Sequence, residues 1–251
     1  MARYQIKIAY DGTAFYGFQR QAQTRTVQHV IEQALKRLGW QGDSLLAAGR
    51  TDTGVHASGQ VIAFDLAWSH APETLLRALN AHLPADVAAL AVATVPADFH
   101  PRYAAQARTY EYRLFFADTR HPLRERYAWR VSPAAQIDLL HQTAAALQGT
   151  HDFAAFGSPM QPGGSTIRHI FSARWLPRGD EWIFAVTGNA FLYHMVRRMV
   201  AAQIQVAQGF VTLEQFLQAL HQPAPQPLQG LAPAHGLCLT EVTYTAAHNS
   251  V

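Results

Sequence analysis

Apolar and polar positions alternate, then fall into a helical period, then alternate again along this chain, and the changes of period mark its elements. Tyr4–Tyr10 is apolar at every second position and closes on the turn pair Asp11-Gly12, which predicts a strand. From about Thr26 to Leu38 the residues Val27, Val30, Ile31, Ala34, Leu35 and Leu38 keep a 3.6-residue spacing. Gly39 follows where a C-terminal cap belongs, so a helix is predicted there. Gly59–Leu66 reads as a strand. Pro72 suits the first turn of a helix carrying Leu75, Leu76, Leu79 and Leu83, stopped by Pro84, and Val87–Val95 is a further β-prone run.

The second half repeats this order. Thr109–Phe116 is strand-like, and Ser132-Pro133 predicts an N-cap and first-turn proline for a helix through about Leu147. Ile167–Leu176 and Trp182–Thr187 predict two strands joined at Pro177–Asp180. A long helix is expected over Phe191–Gln208, another after the capping-box pattern Thr212-x-x-Gln215, a Pro-rich connection over Gln222–Pro233, and a last strand over Leu237–Tyr244. Prolines 96 and 101 and the weak periodicity between them place a junction at 97–106. The expected domains are therefore 1–96 and 107–251. The expected class is α+β: two similar α/β subdomains sharing a central antiparallel sheet with helices on one face. A seam between such halves would be a natural cleft for a site.

Composition narrows the function classes. With 251 residues, 49% hydrophobic and 15% charged, the chain is of globular make-up, and no apolar run approaches the roughly 18 residues of a membrane span. The N-terminus lacks a signal-peptide layout, and the single Cys238 cannot form an internal disulfide, so a reducing, cytoplasmic setting is expected. Of the 20 cationic residues only Lys7 and Lys36 are lysine. Arginine's planar fork suits phosphate and base stacking, but a genomic bias toward Arg, Ala and Gly gives the same count. The positive charge is compatible with a nucleic-acid partner without requiring one.

The densest polar segment is Ala48-Gly-Arg-Thr-Asp-Thr-Gly-Val-His-Ala57. It lies between a predicted helix and a predicted strand, where loops commonly carry function. Two glycines let backbone turn or approach a ligand closely, and between them stand Arg50, Asp52 and two hydroxyls. A capped structural loop, with Asp52 bonded to local amides, is the competing reading. A phosphate cradle fits less well, because the central carboxylate would repel an anion.

The segment GRTDTGVHA resembles the catalytic motif of the tRNA pseudouridine synthase A family. Three more segments match that family in order: Tyr10-Asp-Gly-Thr-Ala-Phe-Tyr-Gly-Phe-Gln-Arg20, Ala107-Arg-Thr-Tyr-Glu-Tyr112 and Asn189-Ala-Phe-Leu-Tyr-His-Met-Val-Arg197. The resemblance spans essentially the whole chain. Departures are Phe18 where the family often has Trp, Thr53 where it often has Ala, and Pro101 interrupting the usual Phe-x-Ala-Arg pattern before Arg102. They touch fine positioning and leave the catalytic groups in place.

The resemblance implies isomerisation of uridine to pseudouridine in the anticodon arm of tRNA, at positions 38, 39 and/or 40, by a homodimer. The reaction moves the ribose C1′ bond from N1 to C5 of uracil, so no cofactor and no metal are expected. By the same resemblance Asp52 is the catalytic carboxylate, Arg197 its cationic partner and Tyr110 the active-site aromatic. Arg50 is the arginine that fills the gap left by a flipped base. Arg20, Arg25, Arg102 and Arg108 are expected phosphate contacts or, equally well, solvated surface charges. Periodicity does not choose between Arg197 and Arg198, and Tyr110 could be a sheet-face aromatic like Tyr112. His56 is expected to hydrogen-bond within the loop. Two other classes remain open at this point: a non-catalytic RNA-binding protein, which would not need Asp52, and a nucleosidase or glycosidase, which would use paired carboxylates.

Overall fold

The computed structural model describes residues 1–222 and 229–245. The expected Pro-rich connection over Gln222–Pro233 therefore lies partly outside the described residues. The chain falls into two compact units, one of residues 1–107 with 238–251 and one of residues 108–237.

In the first unit, β1 (Ala2–Tyr10) is the centre of an antiparallel ribbon between β3 (His56–Leu66) and β4 (Val87–Val95). The short β2 (Leu46–Ala47) pairs with the outer part of β3. Alternation explains the burial: Tyr4, Ile6, Ile8 and Tyr10 are all buried, and Ile6 stands between Ile62 and Val92 across the strands. Helices α1 (Val27–Arg37) and α2 (Pro72–His82) bury Val27, Ile31 and Leu35, and Leu75 and Leu79. Both start and stop within one residue of the sequence expectation, with Thr26 as N-cap of α1 and Pro72 in the first turn of α2. The last strand, β10 (Leu237–Thr243), runs parallel to β3, pairing Cys238 with His56 and Leu239 with Ala57. It belongs to the first unit although it follows the second in the chain.

In the second unit, β9 (Glu181–Gly188) lies between β5 (Ala107–Phe116) and β8 (Ile167–Arg178), antiparallel to both. The short β7 (Gly149–Asp152) pairs with the start of β8, and β6 (Trp129–Val131) runs parallel to β5. The strands are antiparallel as expected, with β6 and β10 added in parallel. Strand β8 continues through Pro177, which pairs with Trp182; β7 reaches only Ile167–Ile170, so the missing amide disturbs no ladder on the outer side. The helices are α3 (Ile137–Ala146), α4 (Met195–Ala207) and α5 (Leu213–His221). Trp175 of β8 donates its indole N–H to Gln203 of α4 at 2.9 Å, a polar tie inside an otherwise apolar core.

Two helix starts differ from expectation. Ser132-Pro133 does not cap α3, whose N-cap is Gln136. Ser132 instead donates to the Asp118 carboxylate at 2.7 Å, and the Pro133 carbonyl accepts from Gln208, so these residues pin a turn to the end of α4. Residues 191–194 are not helical. His194, the N-cap of α4, sits in the left-handed region at φ 63°, and Tyr193 bridges to Ser158. The capping box of α5 is present as expected, with Thr212 and Gln215 bonded reciprocally. Among the described residues no helix is long and apolar enough to cross a membrane.

Candidate active site

The Asp52 loop is held by backbone and by buried polar side chains from three directions. From β3, the fully buried Gln60 donates to the Gly49 carbonyl at 2.8 Å, and Ala48 N–H bonds to Val61. From β1, the Tyr10 hydroxyl meets Thr51 Oγ1 at 2.8 Å in a buried pair. From the segment after β1, Phe18 N–H donates to the Thr51 carbonyl at 3.0 Å and Gly54 N–H to the Phe15 carbonyl. The result is that Thr51 is buried, while of its neighbours Arg50 is exposed and Asp52 half-buried.

The loop's own turn follows from its sequence. Val55 N–H bonds to the Asp52 carbonyl at 3.1 Å, which makes 52–55 a β-turn with Asp first and Gly54 third, at φ 77°. That third position demands glycine when φ is positive. Two glycines outside the loop let the preceding segment lie directly on it. A Cβ on Gly12 would stand 2.0 Å from the Val55 carbonyl oxygen, and one on Gly17, at φ 85°, would stand 3.0 Å from that of Thr51. Backbone therefore packs on backbone, and the peptide carrying Asp52 is fixed more tightly than side-chain packing would allow.

His56 is buried within this arrangement. Its Nδ1 accepts from Gly12 N–H at 3.0 Å and lies 3.2 Å from Asp11 Oδ1, which also accepts from the Thr13 amide and hydroxyl. A ring nitrogen that accepts an amide proton is the unprotonated one. This holds the imidazole at the base of the loop as a structural group. Phe18, at the position where tryptophan was noted as the commoner residue, is buried against Tyr10, with ring centroids 6.2 Å apart. It supports the loop from below and leaves no donor to satisfy.

The four further arginines divide by environment. Arg20 donates to Glu32 at 2.7 Å and to the Asp43 carbonyl. Glu32 is itself buried and also accepts from Gln28 and the Leu45 amide, so Arg20 closes a network behind α1. Arg25 makes a two-pronged pair with Asp86 at 2.7 and 2.8 Å while its guanidinium lies 4.0 Å from the centre of the Phe15 ring. Arg102 is exposed in the turn after Pro101, with Tyr103 beside it. Arg108 donates to the Asn189 carbonyl at 2.8 Å.

In the second unit the other matched segments converge on one another. Tyr110 of β5 is half-buried and meets Phe191 edge-on, with ring centroids 5.1 Å apart. Phe191 is presented by the non-helical stretch 189–194, which begins with an Asn189 side chain accepting from the amides of His169 and Ala190. That stretch delivers Arg197 into the first turn of α4, where its Nε donates to the Ala232 carbonyl at 2.8 Å. Arg198, the neighbour that periodicity could not separate from it, has a buried Nε with no hydrogen-bond partner among the described residues. Tyr112 is wholly buried, whereas Tyr110 is not; the two tyrosines of the same strand have different surroundings.

Sequence reasoning missed the supports of the acid loop: Tyr10, Gln60, Gly12 and Gly17. One signal was present in Gln60, a polar residue inside the apolar run Val61–Phe64 and its flank, since a buried amide in a strand generally bonds a neighbouring main chain. Phe191 was assigned to a helix and its role against Tyr110 passed unseen.

A family model described as tRNA pseudouridine synthase matches residues 6–104 and 143–245. A tRNA pseudouridine synthase A of Halalkalibacterium halodurans is 38% identical over 239 residues, covering 94% of this chain and 90% of that protein. One of Lactiplantibacillus plantarum is 38% identical over 247 residues, covering 96% and 94% respectively. One of Limosilactobacillus fermentum is 36% identical over 255 residues, covering 100% and 99%. A slight likeness to the crystal structure of a Cbf5-Nop10-Gar1 complex, with TM-score 0.39 at 11% identity over 80% of this chain and 44% of that one, bears no weight. Matched along both units and across nearly its full length, the chain belongs to the tRNA pseudouridine synthase A family.

Proposed function

We propose that this protein is the isomerase its family membership indicates, converting uridine to pseudouridine in tRNA, and that Asp52 is the group on which the reaction depends. In the reaction the C1′–N1 bond breaks, a C1′–C5 bond forms, C5 loses its proton and N1 gains one. Nothing is oxidised or added. A carboxylate must act on the nucleotide, and the family resemblance pairs it with an arginine; we assign the first role to Asp52 and the second to Arg197. Tyr110, held edge-on by Phe191, offers a ring to stack on uracil and a phenol to carry the C5 proton. Arg50, exposed two residues before Asp52, enters the stack when the base is turned out.

The anticodon-arm positions 38, 39 and 40 as substrates, a homodimeric state and a cytoplasmic location complete the reading. Arg102 and Arg108 are assigned to phosphate. Arg20 and Arg25 contribute there only through the N–H groups their carboxylate partners leave open.

The observation that supports this is the loop itself: bonds and close backbone contacts on both sides of Asp52 hold the main chain of residues 48–56, while Arg50, two residues before it, is exposed. A purely RNA-binding protein has no use for such fixation of an acid. The test is to incubate unmodified tRNA with wild-type protein and with Asp52→Ala, then measure pseudouridine. Product is expected only from wild type, with tRNA binding largely preserved in the variant. Equal product from both would refute the role of Asp52, and released free uracil would indicate a nucleosidase.

A further inference from the structure

The segment 231–236 after the undescribed residues runs as a strap beside the start of α4, and its bonds connect a wholly buried tyrosine to Arg197. Arg197 is the third residue of α4. The positive end of a helix gives no support to a cation there, so something else must orient the guanidinium. The strap does so with a two-way bond: Arg197 Nε donates to the Ala232 carbonyl at 2.8 Å, and Ala232 N–H donates to the Arg197 carbonyl at 3.2 Å.

The strap is in turn fixed by Tyr112. Its hydroxyl donates to the Pro233 carbonyl at 2.8 Å, one peptide beyond Ala232. Gly236 lies flat on the same ring, where a Cβ would come within 2.6 Å of Cζ. Ala232 is 1% exposed and Tyr112 fully buried. We propose that Tyr112 is a positioning residue for the reaction, its hydroxyl holding the 231–236 strap so that the Ala232 carbonyl aims the Arg197 guanidinium. This rests on the role assigned to Arg197 above. Tyr112 itself meets no solvent and so touches no substrate. Burial pushes its phenol well above the usual value of 10.0, against a smaller opposing effect of Arg197, so the hydroxyl remains a donor.

Tyr112→Phe removes the hydroxyl and keeps the ring, which separates this role from simple core packing. Three quantities are measured on the full chain: kcat at saturating tRNA, KM, and the exchange rate of the Arg197 Nε–H proton by NMR. That signal is identified by its loss in Arg197→Lys. We expect kcat to fall on the order of ten- to a hundredfold, as for a small misplacement of a catalytic group. KM should move by less than about twofold, and the Nε–H proton should exchange at least roughly tenfold faster. Ala232→Gly, which loosens the strap without altering Tyr112, should give the same pattern and serves if the first variant folds poorly. Unchanged kcat in a variant whose Nε–H exchange is faster would overturn the proposal, as would a fall in kcat with unchanged exchange. Full activity in Arg197→Ala would instead defeat the assigned role of Arg197, a result distinct from either.

Discussion

The hydroxyl of Tyr10 and Oγ1 of Thr51 lie 2.8 Å apart in the interior of the first unit, one residue before Asp52. Both groups are buried, so removing the Tyr10 hydroxyl takes from Thr51 Oγ1 the partner it has there, which costs about 1–3 kcal/mol.

Tyr10→Phe is therefore expected to lower the unfolding free energy by roughly that amount and to reduce single-turnover pseudouridine formation by about three- to tenfold through loss of loop precision. Binding of tRNA should be little changed. Urea unfolding and a single-turnover assay measure the two effects. A variant that loses stability yet turns over at the wild-type rate would show that the bond supports the fold without positioning Asp52.

Arg50 and Arg25 should differ in how they answer to salt. A phosphate contact contributes about 0.7–0.9 to the slope of log affinity against log salt. Arg50→Ala should reduce that slope by close to one contact's worth. Arg25 is already neutralised by both oxygens of Asp86, so Arg25→Ala should reduce it far less and cost under about 1 kcal/mol of stability after solvent screening. Titrating tRNA binding at four or five salt concentrations decides the matter; a larger effect from Arg25 than from Arg50 would reverse these assignments.

His235 gives the fold an acid-side weakness. Burial holds its imidazole below the usual 6.5; Glu125 and a hydrogen bond to Ala128 pull it upward, and Arg197 adds a smaller downward push. The unfolded chain therefore takes up this proton at a higher pH than the folded protein does. Stability is complete above the unfolded value of 6.5 and declines as pH falls from there toward the folded value. His100, also lowered by burial, acts in the same direction. His235→Asn should flatten the decline of the urea midpoint between pH 7 and pH 5, leaving the part due to His100. An unaltered decline would mean that His235 is not a source of it.

Much of the fold was legible because its elements carry their own periodicity. Strand β4 has the bounds its alternation predicts, and α5 begins at the capping box written in Thr212 and Gln215. What could not be read was set by partners distant in sequence. Ser132-Pro133 has the local chemistry of a helix start, but the Asp118 carboxylate and the Gln208 amide claim it for a turn. Residues 191–194 fall within the expected helix, yet the Ser158 main chain pairs with Tyr193 and the helix begins only at Met195. The parallel placement of β6 and β10 likewise depends on crossovers that no local pattern encodes.

The candidate site shows the same division. The segment from Gly49 to His56 announced itself by density of polar groups, and its resemblance supplied roles. Nothing in the sequence told that Arg20 and Arg25 are bound to Glu32 and Asp86 while Arg50 is exposed, because an arginine's partner is a matter of tertiary placement. Nor did it distinguish Tyr110 from Tyr112: both lie on one face of β5, but Phe191 meets the first and the strap covers the second.

The bare main-chain seam at Gly12 and Gly17 has a practical consequence for anyone wishing to transplant this chemistry. An acid loop of nine residues looks portable, but here its rigidity is borrowed from a second stretch of polypeptide pressed against it with no side chains between. A graft that carried residues 48–56 alone would arrive slack. A transferable module has to carry, with the loop, residues 10–18 and the part of β3 that bears Gln60 and Val61, moved as one piece.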